Sequence, residues 1–456
     1  MPSTERSAGT SRLVPRLGLA SLVVFGLAYM SPSIVVSTFG VIAATAKGAA
    51  PTAYLVATVA MTLTALSYGK LARAYPESGS VYTYARRLLD ARIGFLAGWA
   101  LLLDYFFLPM VAWLITALYM NVQFPVFSTS GWLVVLIVVT TAVNALGIVV
   151  ADRVNKILLA LTAVALVGLV VVCLHKASAA SSGSIGSSLW SQTTSIGAVT
   201  AAGAIAAYSF LGFDAVSTLS EEVVDAERNV PRGILLSVVI GGGIFFVLAL
   251  LMQWVHPGGA FADESTAGFA VATLAGGKGF ANVYNVLTLI GGMASCIAIQ
   301  ASTSRLMYVM GRDGVLPRRA FGYLHPTFRT PVFNLGLVAV AGLLATRLSL
   351  ATATSFINFG AFLAFTVVNV CVITAWIRYR TGSEPMPVLG YVVLPTLGAV
   401  VDVYLITKLG SNALLLGLGW LVVGIVYLLV LTRGLRQAPP EFSPESVDAP
   451  TDATAT

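Results

Sequence analysis

Long apolar stretches recur along most of this chain and predict its fold. A helix needs about 20 apolar residues to cross the hydrocarbon core of a bilayer. Twelve stretches meet that requirement, at residues 17–46, 52–73, 93–120, 131–150, 155–174, 196–219, 232–255, 281–308, 331–348, 353–377, 388–407 and 411–432. The sequence therefore predicts an all-α integral membrane protein with about twelve transmembrane helices.

Two of these spans are interrupted by residues that disfavour a continuous helix. Span one is interrupted at residues 26–32, Gly-Leu-Ala-Tyr-Met-Ser-Pro, and span six at residues 209–214, Ser-Phe-Leu-Gly-Phe-Asp. Inside a membrane, a broken helix is tolerated only where protein or a cavity satisfies the released backbone groups. Breaks at matching places in two halves of a chain indicate a transporter that binds its solute near the bilayer midplane.

The two broken spans also predict how the chain is divided. Residues 17–174 hold spans one to five and residues 196–378 hold spans six to ten, so each set opens with its broken helix. Because five is an odd number, the second set starts from the opposite side of the membrane, and the repeats are expected to be inverted. Residues 388–434 add spans eleven and twelve. The polar ends, 1–16 and 437–456, are expected to be disordered in the cytoplasm.

The distribution of charge predicts the orientation of the chain. A net charge of +7 could indicate a nucleic-acid partner, but only 10% of the residues are charged and 57% are hydrophobic. If both termini are cytoplasmic, inner loops and ends hold all but five of the 26 lysines and arginines, the exceptions being Lys47, Lys176, Lys278, Arg347 and Lys408. This asymmetry follows the positive-inside rule. The basic surplus therefore indicates topology, and no nucleic-acid partner is expected.

Catalytic and metal-binding patterns are not found in the sequence. The cysteines are scattered over separate apolar spans and the histidines over span ends, at positions Cys173, Cys296, Cys371, His175, His256 and His325. Isolated cysteines in apolar spans are typical of buried, reduced thiols. No His-Glu-x-x-His motif occurs. The sequence therefore predicts neither an enzyme nor a metal or other cofactor.

Several segments resemble the amino acid–polyamine–organocation permeases, and most closely the bacterial putrescine importers. The resemblance is carried, in order and at family spacing, by Ser-Tyr-Gly-Lys-Leu through Tyr-Pro-Glu-Ser-Gly-Ser-Val-Tyr at 67–82, Leu-Asp-Tyr-Phe-Phe-Leu-Pro-Met at 103–110, residues 209–232, and residues 304–331. The resemblance implies a leucine-transporter-like core of five plus five inverted helices, alternating access, and usually proton coupling. It also implies the cell membrane of a bacterium as the location.

Two acids lie where the apolar spans make a charge costly. Asp104 is near the middle of span three, and Asp214 ends the second break. A charged carboxylate at the bilayer centre costs several kcal/mol, so such acids usually face a cavity and act there. Asp104 could be a protonated residue bonded to a neighbouring helix, an ammonium counter-ion or a proton-titrating group. Asp214 could be a helix N-cap, a substrate ligand, or both.

Aromatic residues crowd the same two breaks. Aromatic faces attract cations with up to about 2 kcal/mol once water is removed, although simple packing is the alternative role for each ring. The predicted substrate-binding residues are those at the breaks together with Asp104, namely Gly26, Tyr29, Ser31, Asp104, Tyr208, Phe210, Gly212 and Asp214.

The first break also carries information about the substrate. Amino acid permeases typically present a Gly-Ser-Gly-like backbone there, whose N–H groups hold the substrate carboxylate at a positive half-helix end. This chain has Leu27, Ala28 and Tyr29 in that region. The sequence therefore favours a secondary active importer of a small amine such as putrescine, driven by proton symport. An amino acid permease of the same fold is the alternative.

Coupling and gating residues are predicted from charge. Some permeases that this chain resembles carry a proton-coupling lysine midway along span five, but residues 157–172 contain no ionisable side chain. Asp104 is the deepest acid outside the breaks and is the predicted coupling residue. The acidic run at the inner end of span six is either a solvated face or one side of a cytoplasmic gate. The predicted gate pairs the acids with inner-loop arginines, and its members are Arg86, Glu221, Glu222 and Arg312.

Overall fold

The computed structural model describes residues 17–75, 80–146, 152–179, 185–312, 314–328, 330–380 and 386–440. Nearly all of these residues are helical. The α-helices are α1 Leu19–Met30, α2 Ile34–Thr45, α3 Ala50–Ala74, α4 Ser80–Leu88, α5 Ala91–Gln123, α6 Thr129–Ala145, α7 Asp152–Ala179, α8 Ile185–Leu189, α9 Ile196–Ala206, α10 Ala226–Val255, α11 Ala267–Arg312, α12 Arg318–Phe321, α13 Val332–Gly342, α14 Leu350–Tyr379, α15 Leu394–Lys408 and α16 Ser411–Leu431.

The described helices account for all twelve predicted spans. Nine helical segments in this part of the chain are long and apolar enough to cross a membrane, and α1 with α2 forms a tenth span that bends by 53°. The remaining two spans are the shorter apolar helices α6 and α13, the second of which continues as a 3-10 helix to Arg347. The prediction of an all-α membrane protein with about twelve spans is confirmed.

The first break is shorter than the sequence predicted. Helix α1 continues through Gly26 to Met30, so that only residues 31–33 separate it from α2. Pro32 has no N–H group and disfavours helical backbone in the residue before it, and Ser31 accordingly adopts φ 46°. Gly26 stays helical, and its missing side chain lets α1 approach Ser237 of α10 closely.

The second break is flanked by 3-10 helices rather than α-helices. Helix α9 tightens into a 3-10 turn at Ala207–Phe210, and a 3-10 helix at Phe213–Glu222 follows Gly212, whose φ is 101°. The half-helix that follows the second break is therefore 3-10 rather than α-helical. The hydroxyl groups of Ser217 and Ser220 each donate 2.6 Å hydrogen bonds to the carbonyl oxygen three residues earlier. Such bonds compete with the α-helical pattern.

Both breaks lie within interaction range of the middle of α5, because Tyr29 of α1 hydrogen-bonds to Tyr105 and Asp214 of the second break interacts with Asp104. Helix α1 and the 3-10 helix Phe213–Glu222 contact each other, and both pack on α10. Helix α5 packs on α11 and α14, and α14 also contacts the 3-10 turn at Ala207–Phe210. The division into residues 17–174, 196–378 and 388–434 stays a prediction.

The two chain ends fall largely outside the described residues. Residues 1–16 and 441–456, which were expected to be disordered, are among those that the structure does not describe. The beginning of the expected tail does make contacts. Pro439 is buried, and its carbonyl oxygen accepts a 3.3 Å hydrogen bond from Arg86 Nη1. Tyr82 Oη of α4 donates to the carbonyl oxygen of Pro440 at 3.2 Å.

Candidate functional site

Two buried acids face each other between α5 and the second break. Asp104 lies midway along α5 and is 8% exposed, and Asp214 lies in the first turn of the 3-10 helix and is 4% exposed. The two carboxyl groups are close enough to interact electrostatically. Two ionised carboxylates in this arrangement repel each other strongly at low dielectric constant. A cation or a proton between them removes that repulsion.

Asp104 has an oxygen atom that is not satisfied by the protein. Its Oδ1 is buried and has no hydrogen-bond partner among the described residues. Buried polar atoms in native proteins are nearly always hydrogen-bonded, so an orphaned one requires an explanation. An unpartnered oxygen within a transmembrane helix and in electrostatic range of Asp214 suits a group that a bound ligand or proton completes.

Asp214 is held by the backbone of the second break. Its carboxyl group interacts with the backbone N–H groups of Gly212, Asp214 and Ala215. The residue that precedes this 3-10 helix is Gly212, so Asp214 stands in the first turn rather than at the N-cap, and the N–H group of Ala215 also donates to the carbonyl oxygen of Gly212 at 3.1 Å. A carboxyl group has two oxygen atoms, so interaction with the backbone leaves it able to contact a ligand as well.

Three tyrosines surround the two acids. Tyr29 of α1 interacts with both Asp104 and Asp214 and with the hydroxyl group of Tyr105. Tyr208 interacts with Asp104 from the 3-10 turn. Tyr29 is 41% exposed, whereas Tyr208 is 7% exposed. Part of the Tyr29 side chain therefore remains accessible beside the two buried acids.

Tyr105 is a site residue that the sequence did not single out. It follows Asp104 directly in α5, and it interacts electrostatically with Asp214 as well as with Asp104. Tyr105 lies within the segment 103–110 that resembles the permease family, and this was the sequence signal that could have identified it. The hydroxyl groups of Tyr29, Tyr105 and Tyr208 add hydrogen-bonding capacity to the pair of acids.

The phenylalanines of the second break belong to the core. Phe210 packs edge-on against Phe245 of α10, with ring centroids 4.9 Å apart. Phe213 packs against Tyr68 of α3 at 5.7 Å and Phe365 of α14 at 5.3 Å. Both side chains are fully buried. Substrate contact by Phe210 stays a prediction.

Gly212 joins the two breaks. The ring of Tyr29 lies against Gly212 at the place where a side chain would stand. Gly212 also has φ 101°, a backbone conformation that residues with a side chain rarely adopt. Glycine is therefore required twice at this position, once for the backbone and once for the ring from α1.

The first break satisfies its own backbone. The N–H groups of Ile34, Val35 and Val36 donate to the carbonyl oxygens of residues 31, 32 and 33 at 2.9, 3.3 and 3.1 Å. The hydroxyl groups of Ser31 and Ser33 are 3.1 Å apart. The first turn of α2 therefore offers no bare N–H group from these three residues to a ligand. Gly26, one turn earlier, faces Ser237 and Val216.

The predicted cytoplasmic gate is only partly described. Arg86 of α4 is half-buried and reaches Tyr82 Oη at 3.4 Å, and Arg312 is exposed at the end of α11. The side chains of Glu221 and Glu222 lie outside the described residues, so the gate stays a prediction. Cys173, Cys296 and Cys371 are buried thiols without a disulfide, in agreement with the sequence. Within the described ranges, no group of three or more His, Cys, Asp or Glu residues could hold a metal ion.

Comparison with known proteins assigns the family. The family model described as "Amino acid permease" matches residues 19–434. The low-affinity putrescine importer PlaP of Escherichia coli strain K12 is 38% identical over 440 residues, which cover 95% of this chain and 97% of PlaP. Two Bacillus subtilis proteins are each 27% identical. They are the branched-chain amino acid permease BcaP, covering 94% of this chain and 95% of BcaP, and a methylthioribose transporter, covering 86% and 87%. The chain therefore belongs to the amino acid permease family, and it is an integral membrane transporter rather than an enzyme.

Proposed function

We propose that this protein imports a small amine such as putrescine by alternating access, in symport with protons. The observation that carries the proposal is the pair of buried acids, Asp104 and Asp214, at one site with three tyrosines. A diamine carries positive charges and no negative one, so an acidic site suits it without a basic partner. One acid can bind an ammonium group while the other holds the coupling proton. The 38% identity to a putrescine importer over nearly the whole chain supports the same substrate class.

Tyrosine rings strengthen the case for a cationic substrate. A desolvated ammonium group gains about 2 kcal/mol on an aromatic face. Tyr29 is the ring of the site with the largest exposed fraction, and it lies within electrostatic range of both acids. An ammonium group at Asp214 would therefore meet an aromatic face as well as a carboxylate.

An amino acid permease of the same fold is the weaker alternative. An amino acid brings a carboxylate, which needs N–H donors or a cationic side chain. The N–H groups of Ile34, Val35 and Val36 are already hydrogen-bonded within the first break. Two carboxylates at the site would also repel the substrate carboxylate. The branched-chain amino acid permease is also the more distant relative, at 27% identity.

Asp104 is the proposed coupling residue, and the proposed setting is the inner membrane of a bacterium. The orphaned Oδ1 of Asp104 is suited to bind a proton. Symport requires the proton and the substrate to be bound in the same state, so in this proposal Asp104 holds the proton while Asp214 binds an ammonium group. The proposed topology has both termini in the cytoplasm and two inverted repeats at 17–174 and 196–378.

Uptake into proteoliposomes tests the proposal directly. Under an imposed proton gradient, we expect putrescine to accumulate and to be preferred over ornithine, lysine and neutral amino acids offered in the same panel. Asp104→Asn should abolish accumulation against a gradient and retain counterflow exchange, because exchange needs binding and access but no net proton movement. Preference for a neutral amino acid would contradict the amine proposal. Equal loss of accumulation and exchange would assign Asp104 to binding rather than coupling.

A further inference from the structure

A third buried acid, Asp402, lies in α15 outside the proposed substrate site. It is 0% exposed. Its Oδ2 accepts hydrogen bonds from Thr64 Oγ1 of α3 at 3.0 Å and from Asn369 Nδ2 of α14 at 3.1 Å. Its Oδ1 is buried and has no hydrogen-bond partner in the described part of the chain. Three helices therefore meet at one carboxyl group that is only half satisfied.

The residues around Asp402 hydrogen-bond to one another and allow α14 and α15 to approach closely. Asn369 Oδ1 accepts a 2.6 Å hydrogen bond from Ser67, and Asn369 Nδ2 also donates to Thr64 Oγ1 at 3.1 Å. A Cβ atom at Gly398 of α15 would lie 2.8 Å from Asn369 Oδ1, so the absence of a side chain there allows the approach. We call Thr64, Ser67, Asn369 and Asp402 the Asp402 cluster. All four side chains are fully buried.

The Asp402 cluster contains no counter-ion. Helix α15 packs on α3, α9, α14 and the π-helix at Leu389–Val393. The ionisable residues of these elements are Tyr54, Tyr68, Lys70, Arg73, Cys371, Arg378, Tyr379, Tyr391, Tyr404 and Lys408. None of them pairs with Asp402, whose interactions in the described structure are with Thr64 and Asn369. Lys70 is the cation of α3 that lies nearest in sequence to Thr64 and Ser67. Its ammonium group donates a hydrogen bond to the carbonyl oxygen of Gly390 and not to Asp402.

A fully buried carboxylate without a counter-ion is strongly disfavoured, and ionisable residues inside a membrane usually serve transport. We infer that Asp402 is a proton-binding site of the transport cycle, loaded in the described arrangement and emptied when α3, α14 and α15 separate enough to admit water. The inference rests on the proposed proton-coupled transport. By linkage, the bound proton stabilises the closed arrangement of the three helices.

Aromatic contacts connect the Asp402 cluster to the second break. Asn369 donates a 3.1 Å hydrogen bond to the carbonyl oxygen of Phe365, one turn earlier in α14. The rings of Phe365, Tyr68 and Phe213 contact one another at 5.3 to 6.0 Å. Phe213 directly precedes Asp214. Movement of the 3-10 helix would therefore displace residues that adjoin Asn369 and Ser67.

The number of protons moved with each substrate molecule tests the inference. It is measured in proteoliposomes that contain a pH-sensitive dye, for the wild type and for Asp402→Asn, whose side chain has the same shape but cannot ionise. We expect Asp402→Asn to move fewer protons per substrate molecule and to retain counterflow exchange. An unchanged proton count would show that Asp402 stays protonated as a structural residue, and the inference would be wrong.

A second buried polar cluster supplies the matched control. Gln300 of α11 donates to Thr141 Oγ1 at 2.7 Å and accepts from Asn144 Nδ2 at 2.9 Å, so it joins α11 to α6 without an acid. Gln300→Met should keep the wild-type proton count even if the protein becomes less stable. A lower count in Gln300→Met as well as in Asp402→Asn would indicate general damage to the bundle and would contradict the specific role of Asp402.

Two further measurements keep the test decisive. If Asp402→Asn does not fold, Asp402→Glu serves instead, because it retains a titratable group at a changed position. The pH profile of uptake should then shift relative to the wild type. An unchanged profile would overturn the inference. The comparison uses whichever substrate of the panel the wild type carries, so an error about putrescine leaves it intact. Substrate uptake by the wild type without any proton movement would contradict both proton coupling and the role of Asp402.

Discussion

The two broken helices of this transporter differ in backbone conformation and in hydrogen bonding at their breaks. The first break, between α1 and α2, has α-helix on both sides and is closed by hydrogen bonds from Ile34, Val35 and Val36 to its own carbonyl oxygens. The second break has 3-10 helix on both sides and a glycine at φ 101°. Long 3-10 segments are uncommon and often mark a hinge or a strained site. The second break is therefore the less regular of the two in its helical hydrogen bonding, whereas the first break contains the left-handed residue with a side chain, Ser31 at φ 46°.

The breaks also differ in what they bring to the site. The second break carries Asp214, a buried acid whose carboxyl group lies among backbone N–H groups. The first break carries no ionisable residue, and α1 contributes the ring of Tyr29, which lies on Gly212. In the proposed mechanism, the second break therefore binds the charge of the substrate, and α1 supplies an aromatic wall. Each of the following predictions tests this asymmetry.

The largest effect is expected from Asp214→Asn. Removing one partner of a buried charge pair costs about 2 to 5 kcal/mol, which weakens diamine binding roughly 30-fold to several thousand-fold. Calorimetric titration of the purified protein with putrescine measures the change. Asparagine has the same shape as aspartate, so the unfolding temperature should change little. Undiminished binding of putrescine would show that the carboxylate of Asp214 does not bind the substrate.

The spans and their breaks show how much of the fold the sequence predicts. Apolar length located every span, because the bilayer sets the length of a crossing helix. Pro32 and Gly212 located the breaks, but their bounds depend on contacts that local sequence does not contain. Gly26 stays helical and packs on Ser237, which is far away in sequence. The second half-helix is 3-10, and the hydroxyl groups of Ser217 and Ser220 bind nearby carbonyl oxygens within it.

The candidate site was predictable where charge stands out against an apolar background. Asp104 and Asp214 were found in that way, and the structure brings them together. Asp402 carries the same signal, an acid inside span eleven, and was missed. Its meaning depends on Thr64, which is 338 residues away, and on Asn369 from a third helix. Hydropathy does not show which face of α15 meets these partners.

The second largest effect is expected from Gly212→Ala. A side chain in a left-handed backbone conformation costs about 1 to 2 kcal/mol, and here it would also collide with the ring of Tyr29. We expect putrescine affinity and unfolding temperature to fall together, with affinity lower by roughly tenfold. In the double variant with Tyr29→Ala, the collision is relieved and the backbone strain remains. Additive losses in the double variant would mean that Tyr29 and Gly212 do not interact.

A smaller effect is expected from the ring of Tyr29 by itself. Tyr29→Phe keeps the aromatic face and should bind putrescine within a few-fold of the wild type. Tyr29→Ala removes the face and should weaken binding by about 1 to 2 kcal/mol, roughly tenfold. Titration of both variants gives the comparison. If phenylalanine binds as weakly as alanine, the hydroxyl group near Tyr105 is what matters, and the aromatic wall is not the contribution of α1.

The smallest effect is expected from Pro32→Ala, although Pro32 is the residue that most clearly marks the first break in the sequence. The break is held by hydrogen bonds to the carbonyl oxygens of residues 31–33, and alanine preserves all three acceptors. Replacing proline at a compatible position changes stability by about 1 kcal/mol or less, mainly through the unfolded chain. Putrescine affinity should therefore stay within about twofold of the wild type. Titrating Pro32→Ala beside Gly212→Ala compares the two breaks under the same conditions. If both variants lose affinity equally, the first break takes part in binding as directly as the second, and the asymmetry between them does not hold.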